Sequence, residues 1–364
     1  MPIHEESFRI GCGRYIQGKG YASRCGDEVR RFGTAPLIIG DDTTLSVAGE
    51  RIVTSVSKVC NKYEVYAHNG TCNDECAAEV AEMMHQKGLD VVVGTGGGVI
   101  MDFAKLCAHF AKVPVINVPT SSATCAAFAS LSVRYTPDGR TVGSKHYEKE
   151  VDAVIVDTEI IATQPTRLFL SGMFDSIAKY CEIKQRISEI SASGDAMGLD
   201  YAYAMSARSY EVLNNTVSKC INDMENGIIS TEFENAVFAI IAATGVISGI
   251  ARGSNQCALA HKFYEVTRLL FPETSKPYLH GELVGMGLLL QNHFNGEEET
   301  NQQLLELMKL HNMPYRISDV GIDSSAETFE EYYNKICASS AIDDTNEPVC
   351  QKFRKSLEYM WKIC

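Results

Sequence analysis

The stretch 93-VGTGGGVIMDFAK-105 sets three consecutive glycines, Gly96 to Gly98, between an apolar run and a segment of helical spacing. Gly94 stands just before them. The fingerprint G-x-G-x-x-G is not met, because Val99 takes the place of the third glycine. Two readings are open: a tight packing turn, or a loop that admits phosphate oxygens to the backbone. The position between a buried strand and a helix start favours the second. The first N–H groups of a helix lack intrahelical partners and, with the helix dipole, form an anion site. Glycines let such a ligand approach closely.

Outward from this loop, strands and helices alternate. Ala35–Gly40 reads as a buried strand, Thr43–Lys58 as a helix and Tyr63–Ala67 as a strand. Asn73–Lys87 reads as a helix closed by Gly88. Val91–Val93, uniformly apolar, suits a parallel strand covered on both faces. A helix from about Val99 to Ala111 follows, then a strand over Pro114–Val118 and a last strand over Val151–Val156. Leu131–Tyr135, the turn Thr136-Pro137-Asp138-Gly139 and Thr141–Val142 read as a hairpin appended to the sheet. This spacing predicts βαβ units in a parallel, Rossmann-like sheet.

After Asp157 the pattern becomes helical, with periodic runs at Asp175–Ile187, Glu232–Ile250, Cys257–Leu270, Glu282–Phe294, Asn301–His311 and Glu327–Ser340. The expected organisation is an α/β domain over 1–160 and an all-helical domain over 161–364.

Composition bounds the function. The chain has 364 residues, 45% apolar and 22% charged, with net charge −13. An acidic chain is a poor partner for nucleic acid, whose phosphates demand a basic face. No apolar run approaching a membrane span is expected, and no signal peptide. Thirteen cysteines without a C-x-x-C pair suggest reduced thiols in a cytoplasmic protein.

Three further groups carry chemistry. The segment 119-PTSSATCAAFASLSV-133 sets Thr120, Ser121, Ser122 and Thr124 after a strand, at the edge where ligands of open parallel sheets bind. Asp41 follows the strand ending at Gly40, where a carboxylate can accept from a ribose 2′-OH and repel a 2′-phosphate. Turn-forming aspartates are common there too. Asp175, His261 and His280 make a carboxylate and two imidazoles, a donor set suited to zinc or iron with positions left open. Spacing alone leaves Asp175 as a helix-terminal residue and His261 as a core histidine. His68, Cys72 and Cys76 read as chance clustering on a loop.

Taken in order, these motifs resemble the iron-containing alcohol dehydrogenase superfamily, in its glycerol-dehydrogenase-like branch. They are Asp41 after its strand, GTGGGVIMDFAK, PTSSATCAAF with LSVRYT, Asp175 after Gly172-Met173, ALAH ending at His261, and His280-Gly-Glu. The stretches 14-RYIQGKG-20 and 155-IVDTEIIA-162 are also similar, so the resemblance spans about residues 8 to 335. It implies a dehydroquinate synthase-like fold, with NAD along the sheet's carboxyl edge and a divalent metal, zinc or iron, on the helical domain. It also implies a homo-oligomer acting on a small alcohol or carbonyl compound, with NADP the lesser cofactor. Asp41 would hold the adenine ribose and Gly96, Gly97 and Gly98 the pyrophosphate, with Asp102 lining that helix. Thr120, Ser121, Leu131 and Tyr135 would contact the cofactor further along, and Asp175, His261 and His280 would hold the metal.

The departures concern substrate. The branch carries S-T-D where Ala123-Thr124-Cys125 stand here, and its Asp contacts the polyol. Cys125 and its neighbours look more like relatives that reduce 2-oxo acids. Val99 replaces a lysine, Phe174 a glycine and Tyr264 a second histidine. Two other readings remain: a lyase of the superfamily such as 3-dehydroquinate synthase, and a nucleotide-binding protein without turnover.

Overall fold

The computed structural model describes residues 10–190, 198–251 and 254–363. Six parallel strands form one sheet: β1 (Tyr15–Gly18), β2 (Pro36–Gly40), β3 (Glu64–Ala67), β4 (Val91–Gly96), β5 (Val115–Pro119) and β8 (Ala153–Asp157). Their order is β1-β8-β5-β4-β2-β3. The four inner strands are buried at every residue, which explains their largely apolar sequence. Ile38, Val91, Val93, Ile116, Val118 and Ile155 anchor the core on one face. Edge strand β3 alternates instead, with Val65 exposed.

The chain runs from β2 outward to β3, then returns to the other side of β2 with β4 and continues to β5. The winding direction therefore reverses between β2 and β4. In open parallel sheets, ligands bind outside the carboxyl ends of strands at such a reversal. The loops after β2 and β4 are those of Asp41 and of Gly97-Gly98.

Several expectations need correction. The hairpin of β6 (Leu131–Tyr135) and β7 (Thr141–His146) is a separate two-stranded antiparallel sheet, not an extension of the main one. It hangs instead on the Gly98–Ala111 helix, where Ser132 Oγ donates to the Asp102 carbonyl at 2.8 Å. Strand β1 was not anticipated, being short and only half-buried. Nor was the helix Leu199–Glu225. Part of its buried stripe consists of Ala202, Ser206 and Ser209, small residues that hide the apolar period. One 20-residue span, Thr231–Ile250, has mean hydropathy 1.7 and is long and apolar enough to cross a membrane, contrary to expectation. In the fold 56% of that stretch is buried, including Phe233, Val237, Ile240 and Ile241.

No strand follows Asp157 among the described residues. Two compact units emerge. One comprises residues up to Phe169 together with Val212–Gly249, and the other Leu170–Glu211 together with residues from Ile250 onward. The 212–249 stretch, read from sequence with the helical half, belongs to the sheet unit. Gln17 of β1 donates to the Glu234 carbonyl at 2.7 Å, and Tyr15 meets Phe238 edge-on at 5.6 Å.

Candidate functional site

In the helical unit, one buried polar stripe organises a cluster. Ser171, Asp175, Lys179 and Glu182 follow at helical spacing on the Thr166–Ile190 helix, and all are buried. His261 comes from the helix Leu259–Leu270, and His280 opens the helix His280–Asn295.

Glycines bring these three helices together. A Cβ on Gly281 would lie 1.8 Å from the Ser171 carbonyl oxygen, and one on Gly287 would lie 2.4 Å from that of Ala260. Only glycine permits either approach. Gly281 N–H also donates to Ser171 Oγ at 3.1 Å, which sets His280 beside Asp175. The loop before His280 is held by Arg268, which donates to the carbonyls of Ser275 and Tyr278, each at 2.6 Å. Tyr264 packs edge-on against His280 at 4.4 Å.

The ligand atoms of Asp175, His261 and His280 lie within 4.8 Å of one another. Asp175 Oδ1 is 3.3 Å from His261 Nε2 and 3.5 Å from His280 Nε2. Tetrahedral zinc with bonds of about 2.0–2.1 Å sets its ligand atoms about 3.3 Å apart, so these separations fit an ion. Asp175 Oδ1 is buried yet receives no well-formed hydrogen bond, although nitrogens converge on it. A buried carboxylate oxygen on which nitrogens converge in this way is disposed to take a metal ion. His280 keeps 30% of its side chain exposed, leaving one side of the group open.

Glu182 completes the arrangement. Its Oε1 accepts from the backbone N–H of Ala258 at 2.7 Å and of His261 at 2.8 Å, and its Oε2 lies 2.5 Å from His261 Nδ1. A carboxylate behind a histidine fixes the tautomer and directs the other nitrogen at a metal. Lys179 Nζ lies 3.0 Å from that other nitrogen, His261 Nε2.

Electrostatics follow from these contacts. Burial would raise the Asp175 carboxyl, but Lys179, His280 and His261 hold it well below the usual carboxylate range. Burial likewise opposes ionised Glu182, and His261 draws it below its ordinary value. Burial lowers His280, against the pull of Asp175. Burial opposes the His261 cation, while Cys257 and Glu182 draw its pKa upward. The Lys179 ammonium opposes that charge. An ammonium has only donors, so the 3.0 Å contact requires the lone pair of His261 Nε2.

The sheet unit carries the expected nucleotide residues. Gly94 and Gly96 prove to be strand residues needed for packing: a Cβ would lie 2.5 Å from Ala104 Cβ and 2.7 Å from Ile100 Cβ, respectively. Gly97 and Gly98 differ, since a Cβ there would come no closer than 3.8 Å and 3.5 Å to any neighbour. Gly94 and Gly96 are therefore required by packing, whereas Gly97 and Gly98 leave space beside the backbone. Gly97 is the N-cap of the Gly98–Ala111 helix, and no side chain caps it. Thr120 N–H donates to the Gly96 carbonyl at 3.0 Å, joining the loops after β4 and β5, and Ser121 Oγ lies near Gly97. Asp41 caps the short turn after β2, accepting from Thr44 N–H at 2.8 Å, while Thr44 Oγ1 donates to the Thr95 carbonyl at 3.0 Å. Asp41, Gly97 and Gly98, and Thr120 and Ser121 thus follow three adjacent strands.

Asp102 lies elsewhere. Its buried carboxylate accepts from Val133 N–H at 2.9 Å and pairs with Lys105 at 2.9 Å, and burial raises its pKa. Lys105 also donates to the carbonyls of Ala126, Ala129 and Leu131, so it staples the loop that holds Cys125. Gln164 locks the same loop by accepting from Ser122 N–H and donating to its hydroxyl. Leu131 and Tyr135 begin and end β6, and Tyr135 N–H donates to the Cys72 carbonyl at 2.8 Å. His68 stacks on Phe103 at 3.6 Å, with Cys76 Sγ 3.9 Å from its Nδ1.

Sequence reading missed Glu182, Lys179, Lys105 and Gly281. The signal for two of them was present: 175-DSIAKYCE-182 repeats charge at helical spacing within a buried helix.

Known proteins were compared with the chain. The model of the family described as iron-containing alcohol dehydrogenase matches residues 12–158. A glycerol dehydrogenase of Thermotoga maritima is 30% identical over 345 residues, covering 93% of this chain and 92% of that protein. Hydroxycarboxylate dehydrogenase A of Escherichia coli is 31% identical over 259 residues, 70% of this chain and 69% of that one. The crystal structure of glycerol dehydrogenase from Schizosaccharomyces pombe superposes with a TM-score of 0.81 at 22% identity, covering 98% and 91% of the two chains.

Proposed function

Because the chain belongs to the iron-containing alcohol dehydrogenase family, and so to the oxidoreductases acting on CH–OH groups, we propose that it is a metal-dependent, NAD-linked dehydrogenase interconverting a small 2-hydroxy acid and its 2-oxo acid. The observation that carries this reading is the convergence of Asp175, His261 and His280 around a buried, unsatisfied carboxylate oxygen, with Glu182 behind His261. A divalent zinc or iron ion held there would supply a Lewis acid that acidifies a hydroxyl or polarises a carbonyl, and NAD would accept or return the hydride.

The chain's own residues supply the rest. Glu182 keeps the proton of His261 on Nδ1, so Nε2 faces the ion. His280, its pKa lowered by burial, offers Nε2 3.5 Å from Asp175 Oδ1. Gly97 and Gly98 leave the uncapped helix N-terminus open to a pyrophosphate. Asp41 accepts from a ribose hydroxyl and repels a 2′-phosphate, favouring NAD over NADP. Thr120, Ser121, Leu131 and Tyr135 are assigned to the cofactor's remaining length, with Asp102 acting from behind by fixing β6. The sheet unit is assigned the nucleotide and the helical unit the metal.

Cys125 decides the substrate class. A thiol cannot accept a polyol's hydrogen bonds as a carboxylate does, nor does it repel an anion. The similarity to a hydroxycarboxylate dehydrogenase supports the same choice, although relatives named glycerol dehydrogenase are similar over more of the chain.

An NADH-oxidation screen of the purified, metal-loaded protein tests this, with 2-oxo acids set against dihydroxyacetone. NADH should be consumed with a 2-oxo acid and spared after chelation, and Asp175→Asn should abolish both turnover and bound metal. Stronger activity with dihydroxyacetone would refute the role of Cys125. Bound NAD with no net NADH change would point to a lyase instead.

A further inference from the structure

We propose that Lys179 is a built-in competitor of the metal, holding the atoms of His261 and Asp175 that the ion needs and moving aside when it loads. This rests on the metal reading above. The spacing of Asp175 and Lys179, four residues apart, fixes both on one face of the Thr166–Ile190 helix. Lys179 is 5% exposed. Its Nζ lies 3.0 Å from His261 Nε2 and 3.4 Å from Asp175 Oδ1.

His261 has two ring nitrogens, and Glu182 takes Nδ1. Only Nε2 remains for a metal, and that nitrogen accepts from Lys179. Any point about 2.0–2.1 Å from both His261 Nε2 and Asp175 Oδ1 falls within about 4 Å of the present Nζ position. Two cations so close repel strongly in a buried setting. Ion and ammonium therefore exclude each other, and loading requires the lysine side chain to swing out through its flexible stem.

This role has a signature that a structural lysine lacks. Removing a merely supporting lysine would loosen the ligands and weaken metal binding. Removing a competitor strengthens it. A site that its own lysine closes nine-tenths of the time binds roughly tenfold more weakly than the open one. The lysine meanwhile compensates the buried charge of Asp175, so the metal-free protein should lose stability without it.

The test is zinc titration against a chromophoric chelator at fixed pH, using the full chain as wild type, Lys179→Met, Lys179→Gln and Asp175→Asn. The wild type should bind one equivalent and Asp175→Asn none. Both Lys179 variants should bind roughly tenfold or more tightly than wild type. Metal-free Lys179→Met should melt below the wild type, and zinc should raise its melting temperature by more. If Lys179→Met does not fold, the neutral, polar side chain of Lys179→Gln carries the comparison. Folded variants that bind zinc no tighter than wild type, with wild-type stoichiometry intact, would overturn the inference alone. A wild type that binds neither zinc nor iron would overturn the metal reading with it.

Discussion

Glu182→Gln tests whether Glu182 prepares His261 Nε2 for the proposed metal. In the wild type one carboxylate serves three donors: Ala258 N–H, His261 N–H and His261 Nδ1–H, at 2.7, 2.8 and 2.5 Å. Glutamine has the same shape, and its amide oxygen can still accept from both backbone donors. Its NH₂ then faces Nδ1, placing donor against donor. The imidazole escapes by moving its proton to Nε2, the nitrogen beside Asp175, or by turning the ring. A hydrogen bond to a charged group contributes about 1.5–3 kcal/mol, which corresponds to roughly ten- to hundredfold in affinity. Partners behind metal-bound histidines show losses of about the same size. The assay is zinc affinity by chelator competition for wild type and Glu182→Gln, beside thermal unfolding of each in excess chelator. Zinc should bind ten- to hundredfold more weakly, roughly, to a folded Glu182→Gln protein. Affinity within about twofold of wild type would refute the claim that Glu182 orients His261, because the whole effect is assigned to one tautomer.

Other substitutions separate structure from function at the sheet edge. Gly94→Ala should destabilise the protein by about 1–3 kcal/mol in urea denaturation, since its methyl group meets Ala104. Gly97→Ala should melt as the wild type does, but crowding the pyrophosphate should weaken NADH roughly tenfold in a fluorescence titration. Unchanged NADH affinity would remove the nucleotide from that loop. Asp41→Ser should retain the helix cap, holding stability within about 0.5 kcal/mol, while raising the NADPH to NADH preference. Asp41→Ala should shift the preference similarly and also lower stability by about 1 kcal/mol. Lys105→Met leaves the Asp102 charge buried without its cation and should cost about 3–5 kcal/mol by chemical denaturation.

The strands of the inner sheet were legible because full burial requires unbroken apolar sequence, as in Leu37–Ile39 and Val91–Val93. The edge strand β1 was not, because Tyr15–Gly18 is half-buried and carries neither pattern. The glycine run announced its location but not its division of labour. That Gly94 and Gly96 serve packing while Gly97 and Gly98 stay open depends on Ala104 and Ile100, one helical turn and more away. Asp175, His261 and His280 could be named from motif order, but their convergence could not be read from spacing. It depends on Gly281 and Gly287, whose missing side chains let three helices meet. Asp102 was expected with the cofactor, yet its helical phase turns the carboxylate towards Val133 and Lys105.

The return of residues 212–249 to the sheet unit bears on how the chain is made. A ribosome releases β1 to β8 long before the Thr231–Phe238 helix that meets Tyr15 and accepts from Gln17. The outer flank of the sheet must wait, with β1 incompletely covered, until about two-thirds of the protein has been synthesised. Truncation after β8 would freeze that waiting stage, so a fragment that reproduces the sheet unit must also carry residues 212–249.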